Sequence, residues 1–220
     1  MAESVAESPR ERYRTQMREE IKKQAWAQIA EAGASALSLN AIAKQIGMTG
    51  PALYRYFANR DELITELIRD AYRSLADVFR ARAEAGAGLA ELAQALREWA
   101  LADPQRYLLI YGTPVPGYQA PPDITGIAAE LMAVLLDATA AEELPSGPPQ
   151  SPLHEHLAGH RAWAAGHTAT PAGLHTALTF WTRLHGVLSL ELAGHFTGMG
   201  FDPAQLYAAE VKAIAKGGGG

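Results

Sequence analysis

One short stretch of the chain, residues 46–57, gathers the side chains best suited to binding a partner; it reads IGMTGPALYRYF. Arg55 supplies a guanidinium there, and Thr49, Tyr54 and Tyr56 supply hydroxyl groups. A guanidinium can form two hydrogen bonds with the edge of a guanine, and hydroxyl groups can bond phosphate oxygens. The stretch is therefore suited to contact with a polyanion.

The distribution of charge supports the same interpretation. Residues 1–60 carry nine Lys or Arg and six Asp or Glu, a balance of +3, whereas residues 61–220 carry ten and eighteen, a balance of −8. A basic segment joined to an acidic remainder indicates that the N-terminal segment alone meets a polyanion.

Signatures of catalysis are missing from the sequence. The chain has no cysteine, which excludes disulfides, thiolate metal sites and a cysteine nucleophile. It has no nucleophile, paired-carboxylate or phosphate-loop pattern. We therefore expect neither an enzyme nor a bound cofactor.

The histidines raise the question of a metal ion, because all seven follow residue 150. His156 and His160 have the i, i+4 spacing that places two imidazoles on one helix face, and His154, Glu155 and His167 lie nearby in the sequence. No acidic third ligand stands at a characteristic spacing. We expect no metal, while the segment 154–167 leaves the possibility open.

Two short helices joined by a turn must position the stretch at 46–57. Pro51 suits the first turn of a helix, Gly47 tolerates the left-handed backbone that ends one, and Ser38 and Thr49 can serve as N-caps. Small and apolar residues stand where a helix-turn-helix needs them for packing, at Ala43, Gly47, Met48 and Leu53. An ordinary helical hairpin would also have a glycine at the turn, but it would not expose arginine and tyrosine from a basic segment.

The whole chain reads as an all-α protein, because apolar residues recur with helical spacing and no run alternates with period two. We predict a helix-turn-helix domain of three helices at 1–60, a helical ligand-binding and dimerisation domain at 61–216, and a flexible glycine tail at 217–220. Beyond the fourth helix, at 60–86, the predicted helices lie at about 88–102, 104–111, 122–142, 152–165, 171–196 and 203–216. With no secretion signal and no run of about eighteen apolar residues, we expect a cytoplasmic protein outside the membrane.

The sequence of residues 38–64, SLNAIAKQIGMTGPALYRYFANRDELI, resembles the DNA-binding domain of the TetR family of one-component regulators. The likeness covers roughly residues 12–70 and includes the family's Tyr-x-(His/Tyr)-Phe ending at Tyr54, Tyr56 and Phe57. Trp181, His185 and Gly186 match the Trp-x-x-x-His-Gly signature of one class of TetR C-terminal domains. The resemblance implies an all-helical homodimer with a small-molecule pocket in each C-terminal domain.

Binding to the major groove of double-stranded DNA follows from joining this resemblance with the residue chemistry. The groove, about 12 Å wide, admits one helix, whose N-terminal side chains read the base edges. For Lys44, a side chain that is merely solvated is an equal alternative. The residues that we expect at the DNA are Asn40, Lys44, Thr49, Gly50, Pro51, Tyr54, Arg55, Tyr56 and Arg60.

An effector pocket is also implied by the resemblance, between the fourth helix and the middle helices of the C-terminal domain. Aromatic and aliphatic side chains there favour an apolar or aromatic effector over a sugar or a phosphate. Any of these side chains can equally be plain core, and for His185 a structural hydrogen bond is the favoured alternative. The candidates are Trp99, Tyr107, Tyr111, Leu131, Leu135, Trp163, Trp181 and His185.

The two C-terminal helices are apolar enough to form a twofold seam of four helices between protomers. The small residues Gly186, Ser189, Ala193 and Gly194 would let a partner helix approach closely. The alternative is that these helices complete the core of one subunit. The side chains expected at the seam are Leu184, Leu188, Leu192, Leu206 and Val211.

Together these features predict a homodimeric, ligand-responsive regulator, most simply a repressor, that binds a palindromic operator and is released by a small effector. Two alternatives stay open. One is a helical enzyme or metal-binding protein with an added helix-turn-helix, and the other is an architectural DNA-binding protein without an effector.

Overall fold

The computed structural model describes residues 8–112, 115, 117–141, 151–164 and 166–216. Within these ranges the chain is all-helical and has no strand, as predicted. The glycine tail predicted at 217–220 lies outside the described residues.

Ten α-helices form within the described ranges, and most of their bounds lie within a few residues of the prediction. Three ends differ. Helix α3, which the sequence predicts to last about two turns, is only four residues long; the predicted helix at 152–165 ends early and is followed by a 3₁₀ turn at Ala162–Ala164; and the helix predicted to reach 196 ends at Leu192. The helices are α1 Pro9–Ala32, α2 Leu39–Gln45, α3 Gly50–Leu53, α4 Arg60–Glu84, α5 Leu89–Ala102, α6 Pro104–Tyr111, α7 Pro122–Ala141, α8 Pro152–Gly159, α9 Pro171–Leu192 and α10 Pro203–Ala215.

Side-chain caps explain where several helices begin. Ser38 Oγ accepts a hydrogen bond from the amide of Ala41 at 3.3 Å, and Asn59 Oδ1 accepts one from the amide of Glu62 at 2.8 Å. Asp103 and Asp202 accept from amides in the first turns of α6 and α10, each just before a proline. The Ser38 cap is as predicted, and the other three follow the same rule, because capping depends on residues close together in sequence.

The chain divides into two compact units. The first, which we call the head, is Met1–Ile68 with Pro114–Gln119, and the second, which we call the body, is Arg69–Thr113 with Ala120–Gly220. The division falls inside α4, whereas the sequence suggested a boundary at residue 60.

The core of the head is formed by one face of each of its helices. Ala43 is small where α2 meets its neighbours, and it is almost fully buried at 2% exposure. Fully or nearly fully buried side chains in the head are Ile21, Ala25, Ile29, Leu39, Ile42, Leu53, Phe57, Leu63, Ile64 and Leu67.

One face of helix α7 packs into the core of the body, and α7 is the one helix of the described ranges that is long and apolar enough to cross a membrane by length and composition. Ile127, Leu131 and Leu135 are buried in the same cluster as residues of α5 and α9. Of the apolar window of α7, 33% is buried within the chain, so this packing covers only part of the helix.

Candidate nucleic-acid interface and candidate effector site

The turn between α2 and α3 has the backbone geometry that the sequence predicts. Gly47 has a φ of +69°, in the left-handed region, and the amide of Met48 donates to the carbonyl of Ala43 at 2.8 Å. Thr49 occupies the N-cap position of α3, but its side chain makes no capping hydrogen bond. The expected capping by Thr49 is therefore wrong, because the first-turn amides are not bonded by its hydroxyl.

The recognition segment, which we define as residues 49–57, exposes most of the side chains predicted to meet DNA. Thr49, Pro51, Tyr54 and Arg55 are exposed, with Tyr54 at 45%, and Tyr56 is half-buried. Leu53 and Phe57 have no exposed area and fix the segment to the core. Asn40 and Lys44 on α2 are exposed as well.

Gly50 has a local packing role that sequence reasoning missed. A Cβ atom at this position would lie 3.3 Å from Oδ1 of Asn40. The side chain of Asn40 therefore packs closely against the start of α3, and it would have to shift slightly to admit a Cβ atom at position 50.

Arg60, which the sequence predicts at the DNA, has part of its guanidinium bonded within the fold. Its Nη2 donates to the carbonyl of Ala34 at 2.7 Å and its Nε to the carbonyl of Leu37 at 3.3 Å, while Nη1 lies 3.6 Å from the carboxylate of Asp61. These carbonyls belong to the connection between α1 and α2, where that of Ala34 also accepts a hydrogen bond from the amide of Leu37 at 3.3 Å. Arg60 thus holds that connection against the start of α4.

Arg18 on α1 anchors the end of the recognition segment, and sequence reasoning did not identify it. Its Nη1 donates to the carbonyl of Tyr56 at 2.5 Å, its Nη2 lies 3.3 Å from the carboxylate of Glu66, and its guanidinium carbon lies 4.1 Å from the centre of the Phe57 ring. The only sequence signal is that Arg18 stands one turn before the buried Ile21 and so shares its side of α1.

In the body, five side chains from three helices form a group that we call the aromatic cluster. They are Tyr72 of α4, Tyr107 and Tyr111 of α6, and Trp181 and His185 of α9. Tyr111 lies at the centre, with its ring 5.9 Å from Tyr72, 5.2 Å from Tyr107, 5.6 Å from Trp181 and 4.2 Å from His185. The cluster is thus organised around one tyrosine.

Hydrogen bonds of the cluster join α6 to α9. The hydroxyl of Tyr107 lies 2.9 Å from Nδ1 of His185 and 2.9 Å from Oγ of Ser189. Burial raises the pKa of Tyr107 to about 12 and lowers the pKa of His185 to about 3. Both side chains are therefore uncharged at neutral pH.

Two polar atoms of the cluster are buried and have no hydrogen-bond partner among the described residues. They are the hydroxyl oxygen of Tyr111 and Nε2 of His185. Burial also raises the pKa of Tyr111 well above its usual value, so its hydroxyl keeps its proton. Native structures contain few such atoms, because each destabilises the fold until something bonds it.

Four of the eight predicted effector residues, Tyr107, Tyr111, Trp181 and His185, meet in this cluster, which also includes Tyr72. Tyr72 was missed although it follows the inward-facing Ala71 in sequence. The other four pack in the core of the body: Leu131 and Leu135 are fully buried, the indole of Trp99 donates to Oγ of Ser74 at 3.1 Å, and Trp163 is partly buried.

The expected seam residues divide into two groups. Leu184 and Leu188 have no exposed area in a single chain, so they belong to the core of the body and have no surface left for a partner. This corrects the assignment of those two residues. Leu192, Leu206 and Val211 are only partly buried.

The histidines of the segment 154–167, where the sequence left a metal site open, lie in separate pairs. Nε2 of His154 lies 3.0 Å from Nδ1 of His175, the rings of His156 and His160 stack at 4.0 Å, and Nε2 of His167 lies 2.9 Å from Oδ1 of Asp137. Across the described ranges, no three His, Asp or Glu side chains come together as a group that could hold a metal ion.

Two family models match the chain. Residues 21–67 match the model of bacterial regulatory proteins of the tetR family, and residues 89–214 match the model of the tetracyclin repressor-like C-terminal domain. The first match contains α2, α3 and the recognition segment, and the second contains four members of the aromatic cluster.

Relatives of known sequence and structure agree with these matches. The HTH-type transcriptional regulators Rv1816 of Mycobacterium tuberculosis and Mb1846 of Mycobacterium bovis are each 36% identical over 201 residues, covering 85% of this chain and 86% of theirs. The crystal structure of SCO4313, described as a regulatory protein, is 68% identical with a TM-score of 0.86 and covers 94% of this chain and 98% of its own. A TetR/AcrR-family regulator from Thermobifida fusca, 17% identical, shares the fold with a TM-score of 0.59 over 92% of this chain and 98% of its own.

Proposed function

Because the chain belongs to the TetR family of transcriptional regulators, we propose that it is a cytoplasmic homodimeric repressor without catalytic activity, which binds a palindromic operator and is released by a small molecule. The observation that carries the proposal is the recognition segment, whose exposed Thr49, Tyr54 and Arg55 are held in place by Arg18 and the buried Phe57. Such a surface is rigid and polar on its outer side.

On DNA, the recognition segment enters the major groove with the α2 side chains beside it. Arg55 forms two hydrogen bonds with a guanine, and Thr49 and Tyr54 bond phosphates or contact thymine methyl groups. Lys44 contacts a phosphate and contributes to affinity for any sequence. Two protomers read half-sites about 34 Å apart, which is the spacing of successive major grooves.

The dimer forms through the outer faces of α9 and α10. Leu190 of α9 is 45% exposed, and Gly186, one turn earlier on the same face, leaves room for a partner helix. Leu192, Leu206 and Val211 of the same two helices are also partly exposed. An apolar side chain this exposed, on a helix whose other face is buried in the body, is well placed for an interface between copies.

Release of DNA works through α4. This helix begins in the head at Arg60, and its Tyr72 belongs to the aromatic cluster of the body. A molecule that binds the cluster favours one position of Tyr72 and therefore of α4. In this position the two heads of the dimer no longer match the spacing of the operator half-sites.

Selection of binding sites from random DNA, followed by titration with salt, tests the operator. We expect an inverted repeat and an affinity that falls steeply with salt, because phosphate contacts release counterions. Recovery of single half-sites without a repeat would contradict the dimeric reader.

A pair of leucine variants tests the dimer. Leu190→Glu should give a monomer in sedimentation with unchanged helical content and much weaker operator binding, since one recognition segment makes too few contacts. Leu153→Glu is the matched control, because Leu153 on α8 is 44% exposed and outside the proposed seam. If Leu190→Glu stays dimeric, the seam lies elsewhere.

A further inference from the structure

The aromatic cluster combines apolar ring surface with a small number of buried polar atoms. Tyr72, Tyr111, Trp181 and His185 each keep part of their surface exposed, whereas the hydroxyl of Tyr111 and Nε2 of His185 are sealed. An incoming molecule would therefore meet rings first and polar atoms last. Sites for small molecules typically combine an apolar lining with a few polar groups that fix orientation.

The two sealed atoms call for a group that can both donate and accept. The hydroxyl of Tyr111 can do either. Nε2 of His185 accepts if Nδ1 carries the ring proton, and it donates if Nδ1 instead accepts a hydrogen bond from the hydroxyl of Tyr107; both arrangements fit the 2.9 Å contact between Nδ1 and that hydroxyl. A hydroxyl group on the bound molecule satisfies either arrangement.

Charge on the bound molecule is disfavoured by the surroundings. All five members of the cluster are uncharged, and charged side chains on the same helices already have partners: Arg69 with Asp123, Arg73 with Glu130, and Glu191 with Arg97. A carboxylate or an ammonium placed among the rings would lose its hydration without gaining a counter-ion.

We propose that the aromatic cluster binds an uncharged aromatic molecule bearing a hydroxyl group, with its ring against Tyr72 and Trp181 and its hydroxyl bonded to Tyr111 or His185. This inference rests on the proposed function, since it names the chemical class of the effector. It is narrower than an apolar or aromatic effector, because it requires the hydroxyl and excludes the charge.

Three probes of the same ring system separate these requirements: 1-naphthol, naphthalene and 1-naphthoate. Calorimetry or quenching of tryptophan fluorescence on the protein without DNA measures each affinity at pH 7.5. We expect 1-naphthol to bind about tenfold more tightly than naphthalene, the effect of one hydrogen bond to a buried group, and 1-naphthoate to bind weakest. Equal binding of naphthol and naphthalene, or tightest binding of naphthoate, would overturn the proposal.

The substitution Tyr111→Phe removes the sealed hydroxyl and keeps the ring. We expect the affinity for 1-naphthol to fall about tenfold, towards that of naphthalene, while naphthalene binding is unchanged. Without a bound molecule, the urea midpoint of unfolding should rise, because an unpartnered hydroxyl has been removed. Tyr13→Phe is the control, since Tyr13 is 59% exposed on α1, and it should change neither quantity.

The opposite pattern for Tyr111→Phe would overturn the proposal. A lower urea midpoint with an unchanged ratio of naphthol to naphthalene affinity would mean that the hydroxyl has a structural partner, such as an internal water, and serves stability alone.

Fluorescence anisotropy of a labelled operator separates this inference from the proposed function. If 1-naphthol binds as expected but leaves the DNA complex intact, the ligand class stands and the role of the cluster in release is wrong. If the probes bind without the expected order while another compound releases DNA, the ligand class is wrong and the proposed function stands.

Discussion

The head and the body treat their polar groups in opposite ways. In the head, Tyr54 and Arg55 are exposed, while Arg18 and Arg60 have their guanidinium groups bonded to carbonyls and carboxylates. In the body, Tyr111 is at the centre of the aromatic cluster, and its buried hydroxyl has no partner in the described part of the chain. A surface for an extended polyanion needs exposed charge on a rigid support. A site for a small neutral molecule needs buried polar atoms that can form hydrogen bonds with that molecule.

Arginines make the comparison quantitative, because both units contain arginines that are bonded within the fold. Arg97 of the body pairs with both carboxylate oxygens of Glu191, at 2.5 and 2.8 Å, and the two side chains are 11% and 16% exposed. Arg18 of the head pairs with Glu66 at 3.3 Å, and these side chains are 24% and 26% exposed. The deeper and bidentate pair should contribute more to stability.

The largest effect is expected for Arg97→Ala, which leaves the carboxylate of Glu191 largely buried without its partner. The free energy of unfolding should fall by about 3–5 kcal/mol in urea denaturation. Arg80→Ala is the control, since Arg80 pairs with Asp77 and Glu130 through exposed side chains and should cost no more than about 1 kcal/mol. Equal losses for both variants would contradict the contrast drawn between buried and exposed pairs.

The next effect is expected for Arg18→Ala, which removes the hydrogen bond to Tyr56 together with the contacts to Glu66 and Phe57. We expect about 1–3 kcal/mol of lost stability and weaker binding to every DNA sequence alike, because the recognition segment loses its anchor. Arg18→Lys, which keeps the charge but not the planar fork, should recover only part of both.

Lys23→Ala is the matched control for Arg18, because Lys23 lies on α1 with its side chain 76% exposed. It should leave stability unchanged. If Arg18→Ala alters the preference among bases, Arg18 acts on DNA directly and the division between exposed and bound arginines fails.

Local features of the fold were predictable from the sequence, and the caps show why. Ser38, Asn59, Asp103 and Asp202 each bond an amide two or three residues away, so the information lies within one turn of chain. The end of α3 was not predictable. Tighter turns follow its four residues in place of a further α-helical turn. Arg18, which donates a hydrogen bond to the carbonyl of Tyr56, is 38 residues distant in sequence.

Residue roles at the two sites were also predictable where they depend on nearby residues in the sequence, and not where they depend on distant ones. The exposed face of the recognition segment follows from helical spacing, but Arg60 looked like a phosphate ligand because nothing local reveals the carbonyls of Ala34 and Leu37. Leu184 and Leu188 were assigned to the seam because an apolar stripe in the sequence does not show whether the same chain or a second protomer covers it. Four members of the cluster could be predicted from the sequence, whereas its two unpartnered polar atoms are evident only in the structure.

The exposed side of the comparison is sharpened by three variants in DNA-binding assays. Arg55→Ala should cost about 1–3 kcal/mol at the preferred operator and relax the preference at one base pair. Lys44→Ala should weaken binding to all sequences and lower the salt slope by about 1. Arg60→Ala should lower stability and leave the salt slope unchanged, and a reduced slope would restore Arg60 as a phosphate contact.

The smallest effect is the pH dependence of stability, which tests whether the imidazole of His185 is shielded from water in the folded protein. Burial lowers the pKa of His185 from 6.5 to about 3, so below pH 6.5 the unfolded chain binds a proton that the folded protein excludes. Stability therefore falls as the pH drops from about 6.5 towards 3, by about 1 kcal/mol between pH 7.5 and 5.5. His185→Gln should lack this loss, whereas His195→Gln, at an exposed position after α9, should keep it. His175, whose pKa is also lowered by burial, is present in both variants and cancels in the difference. If urea denaturation of wild type and His185→Gln gives parallel pH profiles, the imidazole reaches water in the folded protein, and the body does not differ from the head in the way its polar groups indicate.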